Sequence, residues 1–490
     1  MAFNSAEYFV FLAVMAFGYY LSPSKHRIWI LLAGSAFFYF QFNPAYLVIL
    51  FLSIAFNYLL GYSISTLEGR RRTGVFVMAL GINIVYLFFF RIDFMGLLFK
   101  SPYSLKSLNI LMPLGISFFT FANISYLVEI YRKKNPAEKR FVVYATHISF
   151  FPKLLQGPIV RPDFISQLVK EHRFNYGETA DGIKLIMWGL FKKTIIADRA
   201  ALIVNQVFDN PTSYTGMPLV LATILFSIQI YADFSGYTDM ARGSAKIFGF
   251  HLPLNFNGPY FSKSIGDFWN RWHMTLSSWL RDYIYLPISF WLSRKIKNDK
   301  ILFLNSDKAI YFFSINATFI ICGLWHGIGW HYIAWGLIFG IGLSVAVFTR
   351  GLRKKFKRKM GLLRHKKKLD RLDTLFIFIL VSFAWIFFRA NTVPEALYIV
   401  KHIFRGIGNI AQMKSALASV AGGDGLNNLV ILLFFAIVLF VVESRQKAEE
   451  IYLWIKQKPA WLRWTFYYAV IMAIFSFGVF DRSPFLYFRF

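Results

Sequence analysis

A single cysteine in 490 residues excludes an intramolecular disulfide framework and any paired-cysteine metal motif. Charge is scarce as well: Asp, Glu, Lys and Arg make up 16% of the chain, whereas 57% is hydrophobic and 20% aromatic. Soluble domains carry roughly 25% charged residues, so this composition lacks the polar surface that a chain of this length needs in water. A mean hydropathy of +0.48, with 57 Phe and 13 Trp, calls for elements that are apolar all round, and lipid is the solvent they fit. Acid is the scarcer sign, 25 Asp and Glu against 54 Lys and Arg, for a formal charge of +29. The basic residues stand in short runs between apolar stretches rather than along one amphipathic face. They therefore read as an orientation signal and an attraction for anionic headgroups, not as a nucleic-acid surface. No internal repeat is visible, and two matching halves are the usual sign of a transporter.

Apolar stretches near the roughly 20 residues that span a hydrocarbon core fall at 8–21, 28–42, 46–62, 75–90 and 111–130, the first two being short. No Lys or Arg precedes the first. Lys25, His26 and Arg27 follow it, Arg70, Arg71 and Arg72 follow the third, and Arg132, Lys133, Lys134, Lys139 and Arg140 follow the fifth. Every second connection is thus basic, which predicts an N-terminus outside and those three loops in the cytoplasm. The start has neither a basic n-region nor a small-residue cleavage site, so a cleaved signal peptide is not expected. Beyond Arg140 the alternation fails. The stretches 141–155 and 231–256 read as too short or too polar to span cleanly, and broken backbone exists at bilayer depth only where protein or water covers it. Re-entrant and interfacial helices around a cavity are expected over 141–330. Regular spans resume at 310–324, 331–348, 375–388, 429–442 and 464–480, and the densest basic run, 350–371, is expected at the headgroups. The fold class is an all-α polytopic membrane protein with about 10–12 transmembrane helices around a central chamber.

Polar groups within apolar surroundings nominate sites. His326 stands in Cys322-Gly-Leu-Trp325-His326-Gly-Ile-Gly-Trp-His331, where Gly323, Gly327 and Gly329 permit close backbone approach and a turn. A second cluster runs from Asp267 through Arg271 and His273 to Arg281, Asp282 and Pro287. As a helix it would set Trp269 and His273 on one face and Asp282 a turn from Ser278, and it equally suits an interfacial helix anchored by Trp and Arg. Around Asp233, Ser235, Tyr237, Asp239 and Arg242, internal Asp–Arg pairing competes with a role in steadying a chamber wall. Gln156 and Arg161 flank the bend Gly157-Pro158, where they would meet a polar substrate or cap the break. A Cys322–His326 nucleophile is conceivable, yet a lone buried cysteine is usually an apolar filler. His326 and His331 are five apart rather than four, and no zinc motif is present.

The elements Phe150-Phe-Pro-Lys-Leu-Leu-Gln-Gly-Pro-Ile-Val-Arg161, Asp233-Phe-Ser-Gly-Tyr-Thr-Asp-Met-Ala241, Phe268-Trp-Asn-Arg-Trp-His-Met-Thr-Leu-Ser-Ser-Trp-Leu-Arg-Asp-Tyr-Ile-Tyr-Leu-Pro287 and Leu324-Trp-His-Gly327 resemble the membrane-bound O-acyltransferases. The likeness is strongest to the bacterial branch that holds the alginate-type O-acetyltransferases and the teichoic acid D-alanyl transfer proteins, and it runs in order from about residue 110 to 340. It implies a catalytic His326, a second family histidine at His273, and a chamber open to both membrane faces. It also implies transfer of an acyl group, acetyl or D-alanyl, from a cytoplasmic donor to an extracytoplasmic polysaccharide, with periplasmic partner proteins completing the transfer. Acetyl-coenzyme A or another thioester would be the donor, with no bound cofactor or metal, and the bacterial inner membrane the location. Trp325, Arg271, Asp282, Gln156 and Asp233 are the expected substrate contacts. The expected organisation is N-terminal spans over 1–140, a catalytic core over 141–349, a basic cytoplasmic loop over 350–372 and C-terminal spans over 373–490.

The chemistry of the residues agrees with that implication. Moving an acyl group from a thioester to a hydroxyl needs a base near neutral pKa, which imidazole supplies, and hydrogen-bonding or positive groups for the oxyanion. A proton-coupled transporter or flippase, with the histidines relaying protons, is the rival class.

Overall fold

The computed structural model describes residues 1–91, 112–296, 299–301, 304–406, 425–446, 451–480 and 485. Among them, eight helices are long and apolar enough to cross a membrane: Pro44–Thr66, Gly69–Phe90, Met217–Ile247, Ser306–His326, Trp330–Phe348, Lys366–Arg389, Gly425–Gln446 and Ala460–Phe477. Ala6–Leu21 and Ile116–Tyr131 are shorter apolar helices, and the expected span at 28–42 is the helix Ser24–Phe40. The start of the span expected at 111–130 lies outside the described residues. Among the described residues, strand is confined to a ribbon pairing Lys300–Ile301 with Leu304–Asn305. The protein is all-α, polytopic and membrane-embedded.

The chain divides into two compact units. The first comprises 1–190, 236–253 and 487–489, and the second 191–235, 254–486 and 490.

In the first unit, helices start where the sequence offers caps. Ser5 accepts from the Tyr8 N–H before Ala6–Leu21, and Asn43 accepts from the Ala45 N–H ahead of Pro44. Between helices, buried polar side chains join one another, as lipid demands. Asn83 donates to Asn57 Oδ1 (2.7 Å), Asn123 to Ser53 Oγ (3.1 Å) and the Tyr144 hydroxyl to Asn123 Oδ1 (2.7 Å). Arg72 donates to the carbonyls of Ile130 and Tyr131, while Lys25, Arg27 and Arg140 line one pocket. The three basic connections therefore meet at one end of this unit.

The expectation that 231–256 is too polar to span cleanly is corrected for its helical part, 231–247. Met217–Ile247 is one continuous helix of 31 residues, and its polar content is tolerated because 78% of its apolar window is buried in protein. Close backbone packing assists: a Cβ on Gly243 would meet the Gly182 carbonyl at 2.5 Å, and one on Gly189 the Gly236 carbonyl at 2.5 Å. The shortness expected of 141–155 is observed, as Phe141–Ser149 and Phe151–Leu154 are separated by Phe150.

In the second unit, Ser306–His326 and Trp330–Phe348 form a helical hairpin at backbone contact. A Cβ on Gly336 would lie 2.2 Å from the Phe319 carbonyl, and one on Gly323 would lie 2.3 Å from the Tyr332 carbonyl. The basic run after it is itself helical over Arg350–Lys359 and continues into Lys366–Arg389. Elsewhere in the unit the serine hydroxyls of Ser227 and Ser382 pair at 2.9 Å, and Glu443 accepts from the Tyr231 hydroxyl (2.5 Å) and from Lys192 (3.5 Å).

Candidate active site

The block 267–287 is not one helix. Ile265–Trp269 ends in a turn, Met274–Leu280 starts afresh, and a π-helical turn, Arg281–Tyr285, leads into Leu286–Lys295. The expectation that Trp269 and His273 share a helical face is therefore corrected, because His273 occupies the N-cap of Met274–Leu280 with φ +42° and ψ +54°. That left-handed conformation is unusual for a residue with a Cβ. Asn255 sustains it: its carbonyl accepts the Met274 N–H (2.9 Å), and its side-chain Oδ1 accepts from the Thr275 N–H (3.2 Å) and the Thr275 hydroxyl (2.9 Å). The amide donor at Thr275 fixes which end of the Asn255 amide is oxygen. His273 Nδ1, 2.9 Å from the same oxygen, is consequently the protonated nitrogen, and the neutral ring keeps its lone pair on Nε2. Phe234 meets the imidazole edge-on at 4.7 Å and Phe256 stacks at 6.4 Å. Burial pushes the His273 imidazole down to about 3, so it is uncharged near neutral pH.

His326 is the last residue of its helix and is 6% exposed. Its ring lies against Trp325 (4.5 Å), Phe388 (4.9 Å) and Trp335 (5.1 Å), all steeply inclined to it. The same aromatic wall reaches the other histidine's neighbour, since Trp335 stacks on Trp385 at 5.9 Å and Trp385 lies 5.0 Å from Trp272. The Gly323 contact with the Tyr332 carbonyl fixes how far the helix end advances, and hence where His326 sits. His331 Nδ1 faces the Phe387 carbonyl at 3.1 Å, a structural hydrogen bond. Cys322 is fully buried one turn before His326.

Between the two histidine segments lies a cavity of about 400 Å³, lined by Trp269, Asn270, Met274, Ser278, Arg281 and Thr318 among others. It adjoins both elements without including either histidine ring. Arg281 is largely exposed and pairs with Asp282 at 2.8 Å. Arg271 pairs with Asp267 at 2.8 Å, one turn away and half-exposed.

The remaining candidates separate. Asp233 is buried against Lys193 (2.8 Å), whose ammonium also holds Asp198 (2.7 Å). Arg242, in the first unit, donates from Nε to the Leu252 carbonyl. Gln156 also belongs to the first unit. It is 1% exposed, and neither of its amide atoms has a hydrogen-bond partner among the described residues, so its side chain does not cap the Gly157-Pro158 break. Trp325, Arg271, Asp282, Asp233 and both histidines belong to the second unit.

Two residues central to this arrangement escaped sequence reasoning. Asn255 sits in a Pro/Asn/Gly loop and reaches His273 across 18 positions, a separation with no periodic signal. Lys193 had a readable one, as a lysine inside the apolar stretch 185–197 must find carboxylates.

Residues 86–388 match the membrane-bound O-acyltransferase family. The chain is 34% identical over 441 residues to the peptidoglycan O-acetyltransferase of Helicobacter pylori, covering 82% of this chain and 79% of that protein. It is 32% identical over 464 residues to the probable alginate O-acetylase of Pseudomonas aeruginosa, covering 91% and 83% respectively. It is also 32% identical over 265 residues to the teichoic acid D-alanyltransferase of Bacillus subtilis, covering 51% and 62%. The chain belongs to the membrane-bound O-acyltransferase family and is a multi-pass membrane O-acyltransferase.

Proposed function

We propose that the protein transfers an acetyl group from a cytoplasmic thioester donor, acetyl-coenzyme A or a similar carrier, to hydroxyls of an extracytoplasmic polysaccharide, with His326 as the general base. The observation that carries this reading is the placement of His326, held at a helix end by backbone contact at Gly323, with the cavity beside the same helix. The relatives that act on peptidoglycan and alginate support acetyl and polysaccharide as the two halves of the reaction.

In this scheme the sugar hydroxyl gives its proton to the His326 imidazole as its oxygen attacks the thioester carbonyl. The tetrahedral intermediate then collapses, the C–S bond breaks, and the leaving thiolate takes the proton from the imidazolium. His273, neutral and donating to Asn255, serves as a hydrogen-bond acceptor that orients the hydroxyl rather than as a cation. The helix Ser306–His326 runs antiparallel to Trp330–Phe348, so its Tyr311–Thr318 half, which lines the cavity, lies toward the same end as the basic helix Arg350–Lys359. With the basic connections cytoplasmic and the N-terminus outside, that is the donor side in the inner membrane. From Thr318 to His326, eight helical residues make roughly 12 Å, the reach required of the donor's acyl-bearing arm. Extracytoplasmic partner proteins would carry the acetyl group onward to the polymer.

Proteoliposomes given an acetyl-labelled, coenzyme-labelled thioester on one side and polysaccharide on the other test the class of function. Acetyl label is expected on the polysaccharide while the coenzyme stays on its own side. Arrival of intact donor across the bilayer, with no label on the sugar, would identify a carrier instead. A D-alanyl thioester in the same assay tests the reading favoured by the teichoic acid relative.

A further inference from the structure

The first unit contains a second pocket, of about 310 Å³, and neither candidate catalytic histidine lines it. Lys25, Arg27, Arg140 and Lys170 line it, with Glu171 as its one carboxylate. Its floor is Tyr19, Leu31, Val143 and Leu168. The cations differ in how they are held. Arg140 is neutralised by Glu138 at 3.0 Å. Arg27 is fixed by carbonyls: Nε donates to Ser22 (3.0 Å), Nη2 to Tyr20 (3.4 Å) and Nη1 to His172, and its guanidinium lies 5.3 Å from the Tyr19 ring. Carbonyls and rings orient a guanidinium without cancelling its charge. Lys25 and Lys170 are exposed, and among the described residues neither has an ion-pair partner. The pocket is therefore positive, with one rigid cation and two mobile ones over an apolar floor. Its volume equals roughly ten waters, more than a monatomic counter-ion needs.

We propose that this pocket binds the phosphate group of an anionic ligand. Arg supplies oriented donors and Lys compact mobile charge, the combination that holds phosphate oxygens. A glycerophospholipid headgroup and a soluble phosphate ester share that chemistry. The surroundings favour the lipid: Trp29 (57% exposed) follows the lining residue Ile28, and Phe174 (59%) stands two residues after the lining residue His172, and exposed aromatic rings mark headgroup level. Arg27 belongs to the first basic connection and Arg140 to the third, so the pocket opens at the end expected to face the anionic leaflet.

Native mass spectrometry of the full-length protein in detergent tests this, with phosphatidylglycerol, phosphatidylcholine and adenosine 3′,5′-bisphosphate as probes. Phosphatidylglycerol is expected to bind more tightly than phosphatidylcholine, and the double variant Lys25→Gln, Lys170→Gln to bind it roughly thirty-fold more weakly. Both lysines are exposed, so the fold is expected to survive, and Glu171→Gln should shift affinity the other way by roughly five-fold. A loss in the double variant confined to the bisphosphate would support the site with a soluble ligand as its occupant. Binding of neither anionic probe, or equal binding by wild type and double variant, would overturn the proposal.

Discussion

His273 and His326 are both buried, yet they are held in opposite ways. Hydrogen bonds and an unusual backbone fix His273: Asn255 grips the ring, the cap and the following strand of backbone at once, and the residue stays at positive φ. Aromatic contact and helix-to-helix fit place His326, whose position depends on missing side chains at Gly323 and Gly336. A ring fixed by polar contacts has a defined tautomer. The rings of Trp325, Trp335 and Phe388 set the plane of the second imidazole. Under the proposed mechanism the first histidine orients the hydroxyl and the second takes its proton.

The largest stability effect is expected behind His273. Asp233 precedes Phe234, whose ring meets the imidazole, and Lys193→Met would leave Asp233 and Asp198 without their buried cation. Thermal unfolding in detergent should reveal a loss of about 3–5 kcal/mol. A change below about 1 kcal/mol would show that the triad is dispensable. On the His326 side, Gly323→Ala forces a methyl into the Tyr332 carbonyl and should cost about 1–3 kcal/mol. Transfer should fall further than stability does, because the helix end carrying His326 must shift.

Backbone and ring can be separated at His273. His273→Gly accepts the left-handed conformation whereas His273→Ala does not, so the glycine variant should be the more stable by about 1 kcal/mol, with transfer impaired in both. Equal stabilities would mean that the positive φ carries no strain. Titration sharpens the same contrast. The folded His273 ring takes a proton only near pH 3, while an unfolded histidine does so near 6.5. Between those values the unfolded state binds more protons, so stability should fall as pH drops from about 6.5 toward 3, and His273→Gln should flatten the slope. The smallest effect is expected at Cys322→Ser, near silence in transfer; abolished activity there would point to a thioester relay.

The sequence revealed most where physics is local. Span lengths, basic connections and the glycines around His326 are short-range signals, and each corresponds to a structural feature. The polar stretch 231–256 reads as unfit for a clean span when its polarity is set against lipid, whereas polar groups of its helical part, 231–247, face protein in the folded chain, as with Asp233 on Lys193. The break at Asn270–Trp272 was hidden for a related reason. Nothing in Phe-Trp-Asn-Arg-Trp-His forbids a helix, and the turn is imposed from a distance by Asn255, which caps the new helix at Thr275. Contacts of that range leave no period to detect.

The most direct measurement compares acetyl transfer to polysaccharide by wild type and His326→Ala, each reconstituted and shown to be equally folded. General-base catalysis predicts a rate lower by roughly 10²–10⁴-fold in the variant, with donor affinity little changed. Transfer at the wild-type rate would contradict it and leave His326 as a packing residue.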